Sequence, residues 1–222
     1  MRVTARPCGV ATCFARHMSS LGTRMLEMGF GCPRGLLGRV GGRLMASGNA
    51  ATERHLVELA ALGPEDVVLV LGPGPGVGLQ AAGERSEHVI GVDPSAVMRD
   101  AARRRCAELI EQGRVLIDGG DAEDTGRPDA SADVVLAVNN VQLWPDWSAG
   151  FAELRRVLRP GGRMLLSAHE KWLPGGQTAL AGAVEGAGFT DVEVWTWEPP
   201  GRGASTAVQL RARRPAMPRQ RP

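Results

Sequence analysis

The 222-residue chain has no tyrosine and one lysine, Lys171, and aromatic residues make up 4% of it. Lys171 is followed by Trp172, so no Gly-Lys-Ser/Thr phosphate loop can be built. Its four cysteines, Cys8, Cys13, Cys32 and Cys106, form no C-x-x-C pair. That spacing argues against zinc or dithiol chemistry and for buried or idle thiols in a reducing cytoplasm. No apolar run approaches the roughly 20 residues that cross a bilayer, so the expectation is a soluble, cytoplasmic protein. Carboxylates are scarce at both ends. Residues 1–50 carry seven arginines against Glu27 alone, and residues 201–222 carry six arginines and no acid. The formal charge of +2 therefore hides an acidic body, 13 basic against 23 acidic residues over 51–200. Such a body repels a polyanion, so the basic ends read as solvated tails and a nucleic-acid partner is disfavoured. No period of 20 to 50 residues recurs, which excludes a solenoid or propeller.

What is present centres on residues 67–78, VVLVLGPGPGVG. Val67 to Leu71 is an uninterrupted apolar run, the mark of a strand buried on both faces. Gly72, Gly74 and Gly76 follow at alternate positions, and Val77 to Ala82 reads as a helix. Strand, glycine turn and helix in that order make a seat for a nucleotide-type ligand, because glycine admits positive φ and close approach. A dinucleotide fingerprint does not fit: G-x-G-x-x-G needs its third glycine at Val77 or Leu79. The pattern is G-x-G-x-G.

Two further stretches repeat the arrangement. Val89 to Val92 is a second strand ending in Asp93-Pro94-Ser95, where the carboxylate can accept from ribose hydroxyls or cap the helix that begins near Ser95. Arg114 to Ile117 is a third, followed by Gly120, Asp121 and Ala122. Asp121 is open to a second reading as an Asx-turn residue. Strand four spans Asp133 to Val138, with Asn139 and Asn140 after it, and strand five spans Arg163 to Ala168 beyond the turn Pro160-Gly161-Gly162. Helices are expected over Asn49 to Leu62, Ala96 to Gln112, Trp147 to Leu158 and Gln177 to Ala187. Two last strands, Asp191 to Trp197 and Ser205 to Arg211, form an antiparallel pair at the edge. The βα alternation specifies an α/β, doubly wound sheet. Its ligand rim gathers Gly72 to Gly76, Asp93, Asp121, Asn139 and His169.

Taken together, the glycine loop, the acid after strand two, Gly120-Asp121-Ala122 and Leu154 to Leu166, LRRVLRPGGRMLL, resemble the class I S-adenosylmethionine-dependent methyltransferases of the small-molecule, type 11 kind. The resemblance covers about residues 50–212. It implies a seven-stranded Rossmann-like sheet of order 3-2-1-4-5-7-6 with strand seven antiparallel, and S-adenosyl-L-methionine as cofactor. It also implies a helical cap over 23–50 ahead of the domain at 51–212; the arginine-bearing, acid-free composition of 1–22 reads as a disordered leader or an upstream start codon, and 213–222 as a basic tail. A helix around Arg34 to Ala46 belongs to that cap. By the same resemblance Gly72, Gly74 and Gly76 line the methionine and ribose, Asp93 with Pro94 holds the ribose hydroxyls, Asp121 and Ala122 meet the adenine, and Asn139 sits near the sulfonium or the methionine carboxylate. One position departs from the pattern. The family carries an acid inside strand one, two residues before the first glycine, and here that residue is Val70.

The chemistry expected is methyl transfer to a small-molecule acceptor by direct displacement, with His169 at the end of strand five as the base where the acceptor carries a proton. Glu170 is the second choice. Trp144, Trp147 and Trp172 are candidate walls of an apolar substrate pocket. The absence of tyrosine removes the Asn/Asp-Pro-Pro-Tyr motif of amino-group methyltransferases, and no metal site is expected. Two alternatives stay open: a protein of the same fold with lost or altered chemistry, suggested by Val70, and an RNA or protein methyltransferase using the basic ends.

Overall fold

A computed structural model describes residues 49–200 and 205–216. The leader, all but the end of the cap with its Arg34 to Ala46 helix, and the tail from 217 lie outside the described residues. Helix α1 (residues 49–59) precedes β1 (Val67–Leu71), α2 (Val77–Gly83), β2 (His88–Val92), α3 (Ala96–Arg105), α4 (Ala107–Glu111), β3 (Val115–Asp118) and β4 (Ala132–Val138). Then come α5 (Trp147–Val157), β5 (Leu158–His169), α6 (Gly176–Gly186), β6 (Thr190–Trp197) and β7 (Ala207–Arg213). The sheet order is β3-β2-β1-β4-β5-β7-β6, and β7 runs antiparallel to both neighbours. This is the doubly wound, Rossmann-like order expected.

The central strands β1, β4 and β5 bury both faces, as continuous apolar runs demand, while the edge strands β3 and β6 are partly exposed. On one face Leu69, Leu71, Val135, Ala137 and Leu166 pack against Phe151 and Leu154 of α5 and Leu180 and Val184 of α6. On the other, Val68, Val70, Val134, Leu136 and Leu165 pack against Leu56 and Val57 of α1, Leu79 of α2 and Ala102 of α3. Burying a side chain the size of Phe151, fully enclosed, contributes about 2–3 kcal/mol.

Two boundaries differ from expectation. The helix read over 96–112 is broken at Cys106, whose backbone (φ −96°, ψ 17°) leaves the helical region between α3 and α4. There the thiol is packed under the glycine loop, with Sγ 3.9 Å from the Gly76 carbonyl oxygen. Strand β5 starts at Leu158 and runs through the Pro160-Gly161-Gly162 turn, because Gly161 N–H donates to the Arg214 carbonyl and Arg214 N–H to that of Gly162. A turn whose backbone groups find partners on a neighbouring strand becomes a bulge in the ladder.

One charged network fastens the long β3–β4 connection. Glu153 of α5, 8% exposed, accepts from the N–H and hydroxyl of Thr125 (2.9 and 2.5 Å) and from Arg156 (2.7 Å). Burial pushes this carboxyl upward, but Arg156 and Thr125 outweigh it and hold it below its ordinary range. Arg156 also reaches the Arg127 carbonyl and pairs with Asp129. The rim loop thus has a fixed course.

Candidate active site

The glycine loop leaves β1 with three residues of positive φ, and each glycine is required for a different reason. At Gly72 (φ +58°) an added Cβ would meet Asn140 Nδ2 at 2.6 Å, and that amide donates to the Leu71 carbonyl at 2.6 Å. At Gly76 (φ +88°) it would meet the Ala102 Cα of α3 at 3.0 Å. At Gly74 (φ +52°) nothing lies within 4 Å. The outer glycines admit neighbouring chain segments, and the middle one faces open space where a ligand's close approach needs the absent side chain.

Asp93 fixes the loop from the β2 side. Its Oδ2 accepts from Gly74 N–H at 3.1 Å, its Oδ1 from Ser95 N–H at 2.8 Å, and Arg99 holds its carbonyl at 2.7 Å. The carboxyl is 5% exposed, and burial pushes it up to about 6 against the pull of the Ser95 and Gly74 N–H groups and of Arg99. The helix cap that Asp93 was one candidate for is Ser95, whose hydroxyl accepts from Met98 N–H. Pro94 is exposed beside it.

A second carboxylate, one that motif reading missed, fixes the loop from the opposite face. Glu53 of α1 accepts from Gly78 N–H at 2.5 Å and is 8% exposed. Burial pushes it up to about 7, against the Gly78 N–H and the charges of Arg105 and Arg54. The Gly78 N–H at the start of α2 is thus already taken and is not open to a ligand. Periodicity held the signal: Glu53 lies three and four residues before the buried Leu56 and Val57, on the face of α1 that meets the sheet.

On the β3 side Asp121 is exposed, and its Oδ1 accepts from the N–H groups of Glu123 (2.9 Å) and Asp124 (3.0 Å), which is the Asx-turn geometry. Ala122 is buried beneath it.

The rim over β4, β5 and β7 is built otherwise. Asn139 (φ +52°) donates its N–H to the Ser167 carbonyl at 2.7 Å, yet both polar atoms of its side chain are buried without a partner. So are Asn140 Oδ1, Gln142 Oε1, Ser167 Oγ, His169 Nδ1 and Gln209 Nε2. Strand register places Val138 beside Ser167 and Ser167 beside Gln209, which brings Asn139, Ser167, His169 and Gln209 to one end of the sheet. Burial, followed by the charge of Lys171, lowers the pKa of His169, so its imidazole is neutral at pH 7. Unmatched buried polar groups are uncommon in folded proteins, and these gather where β4 and β5 end, the edge at which sheets of this kind receive ligands.

The tryptophans are distributed differently from the substrate wall expected. Trp144 and Trp147 pack edge-on against Phe151 at 5.2 and 6.4 Å between ring centroids, on the margin of the core, while Trp172 is 46% exposed. Trp197 stacks on His55 at 4.1 Å. An open cleft of about 310 Å³, solvent included, lies beside the loop and is lined by Glu53, Val70, Gly72, Pro73 and Val138 among others.

Comparison with known proteins agrees with this arrangement. Residues 69–166 match the family described as a methyltransferase domain. The chain is 27% identical over 165 residues to the uncharacterized methyltransferase YdaC of Bacillus subtilis, covering 70% of this chain and 88% of that one. It is 36% identical over 119 residues to the nocamycin O-methyltransferase of Saccharothrix syringae, covering 51% of this chain and 41% of the other, so it spans less than half of that enzyme. Among solved structures, the Haemonchus contortus phosphoethanolamine N-methyltransferase 2 in complex with S-adenosyl-L-methionine superposes with a TM-score of 0.63 at 19% identity, over 74% of this chain and 52% of that one.

Proposed function

Given that the chain belongs to the class I S-adenosylmethionine-dependent methyltransferases, we propose that it binds S-adenosyl-L-methionine along the rim from Gly72 to Asn139 and methylates a small-molecule acceptor held over β4 and β5. The observation that carries this reading is the pairing of a loop already set in its ligand-receiving form with a neighbouring rim of unmatched polar atoms. The residues fit the cofactor. Gly74 leaves space for close approach, Asp93 has a buried carboxylate for the ribose hydroxyls, and Pro94 shapes the turn beside it. Asp121 keeps its Oδ2 for the adenine amino group while Ala122 backs the ring, and Asn139 has donor and acceptor both free for the methionine end. Bound there, the cofactor supplies a methyl group on a sulfonium, an activated leaving group that needs no protein nucleophile.

The chain's own residues then orient and desolvate. Gly72 and Gly76 fix the loop, so its donors are in place before the ligand arrives, and alignment supplies several kcal/mol of the rate gain. His169 acts as the base: its neutral imidazole accepts the proton of an acceptor hydroxyl or ammonium. Small size of the acceptor is supported by relatives such as the nocamycin enzyme, whose name states an O-methylation. Among the described residues no helix is long and apolar enough to cross a membrane. Isothermal titration with S-adenosylmethionine and its demethylated product tests the reading. Binding at micromolar to millimolar cofactor is expected, and no heat at about 1 mM would remove it.

A further inference from the structure

The strand that carries the glycine loop has no acid, and the helix before it brings one to the same place. Val70, 6% exposed, and Glu53 line one cleft, in which Glu53 is the only ionisable side chain. Gly78 permits the approach: an added Cβ there would meet Glu53 Oε2 at 3.1 Å and its Cβ at 3.3 Å. Oε2 is engaged with Gly78 N–H, and Oε1 has no hydrogen-bond partner among the described residues. Among the described residues no cation pairs with the side chain either, since Arg105 and Arg54 act on it only through their longer-range field. Arg105 is turned to the Pro75 carbonyl at 2.9 Å. A buried carboxylate without a counter-ion is costly, and so is a cation brought into an apolar cleft. Each is the other's missing partner.

We propose that Glu53 is the anionic contact of the cofactor cleft, supplying from α1 the carboxylate that β1 lacks at Val70: Oε2 latches the loop at Gly78 while Oε1 pairs with the ammonium of the cofactor's methionine end. This rests on the cofactor reading above. A carboxyl raised to about 7 is partly protonated in the free protein, and an arriving ammonium drives it to the anion, so binding releases a proton to the buffer. The other buried acid on the loop, Asp93, faces its opposite end and stays constant when Glu53 alone is changed.

The test is titration calorimetry of the full chain near pH 7, in buffers of different ionisation heat, with two ligands. S-adenosylhomocysteine keeps the ammonium, and methylthioadenosine keeps the adenosine and thioether without the amino-acid end. The wild-type chain should release a fraction of a proton with the first and none with the second. Glu53→Gln should weaken S-adenosylhomocysteine about tenfold or more, abolish the proton release and leave methylthioadenosine unchanged. Equal weakening of both ligands, or no change in either, would overturn the proposal, the first because Glu53 would then only prop the loop. If Glu53→Gln fails to fold, the wild-type measurement decides alone, and absence of proton release on binding S-adenosylhomocysteine overturns the assignment. A wild-type chain that binds neither ligand removes the cofactor reading itself and this proposal with it.

Discussion

The two halves of the rim differ in how much of their hydrogen-bonding capacity they spend on themselves. Over β1 and β2 the loop is held at Gly72, Gly74 and Gly78 by Val92, Asp93 and Glu53, and nearly every donor has a partner. Over β4, β5 and β7, six side chains keep buried polar atoms unmatched. On the function proposed above, the first half is a self-satisfied cradle for the cofactor, and the second, Asn139 apart, holds the groups left free for an acceptor. Self-satisfied groups contribute to stability; unmatched ones lower it and serve binding.

Substitutions on the open half should therefore lower activity, and those on the closed half stability. The largest effect expected is on turnover: His169→Ala should lower kcat about a hundredfold or more for an acceptor that must lose a proton, with cofactor affinity kept. Unchanged turnover would mean that alignment alone drives transfer. Next, Gly76→Ala forces a Cβ to 3.0 Å from backbone at φ +88° and should cost about 3 kcal/mol of stability in denaturant unfolding.

A similar effect is expected from pH. Burial raises both loop carboxyls above their unfolded values, Asp93 from 3.8 to about 6 and Glu53 from 4.5 to about 7. A raised carboxyl means that the folded chain holds protons which the unfolded chain has released. Stability is full below the unfolded values and falls as pH climbs through the folded ones, by up to about 3 kcal/mol per group. The charges that moderate this are Arg99 at Asp93, and Arg105 and Arg54 at Glu53. The thermal midpoint should drop between about pH 4 and pH 7, and either Asp93→Asn or Glu53→Gln should flatten its share of the slope.

Gly74→Ala isolates ligand space from packing. With nothing within 4 Å it should cost only about 1 kcal/mol of backbone strain while weakening cofactor binding at least tenfold. A cofactor affinity equal to wild type would show that the open side of Gly74 is not the ligand side. The smallest effect has the opposite sign. Ser167→Ala removes a buried hydroxyl without a partner, so the free protein should be unchanged or up to about 1 kcal/mol more stable. A clear loss of stability would mean that this rim is no more open than the other.

Much of the first half was legible in the sequence and little of the second. The loop and its flanking strand and helix are contiguous, so alternate glycines after an apolar run were enough to find them, and Asp93 follows from the next strand's end. Asn140 and Glu53 act on that loop across 69 and 25 residues, and no local pattern reports such contacts. Asp121 offered two readings, and its Oδ1 forms the Asx turn. Trp144 and Trp147 followed a strand end as pocket walls should, but a single phenylalanine on α5, Phe151, draws both to the core margin. The unmatched atoms of Ser167 and Gln209 arise only because an antiparallel β7 sets them side by side.

What the sequence determined alone is the order of strands and helices and the seat of the glycine loop, because hydrophobic period and glycine spacing act over a few residues. The tertiary structure decided which carboxylates grip that loop, that Glu53 and Val70 line one cleft, and which polar groups are left over. Those depend on how buried charges and donors find partners once distant segments are packed together, and burial fixes their pairing and protonation only after the chain has closed.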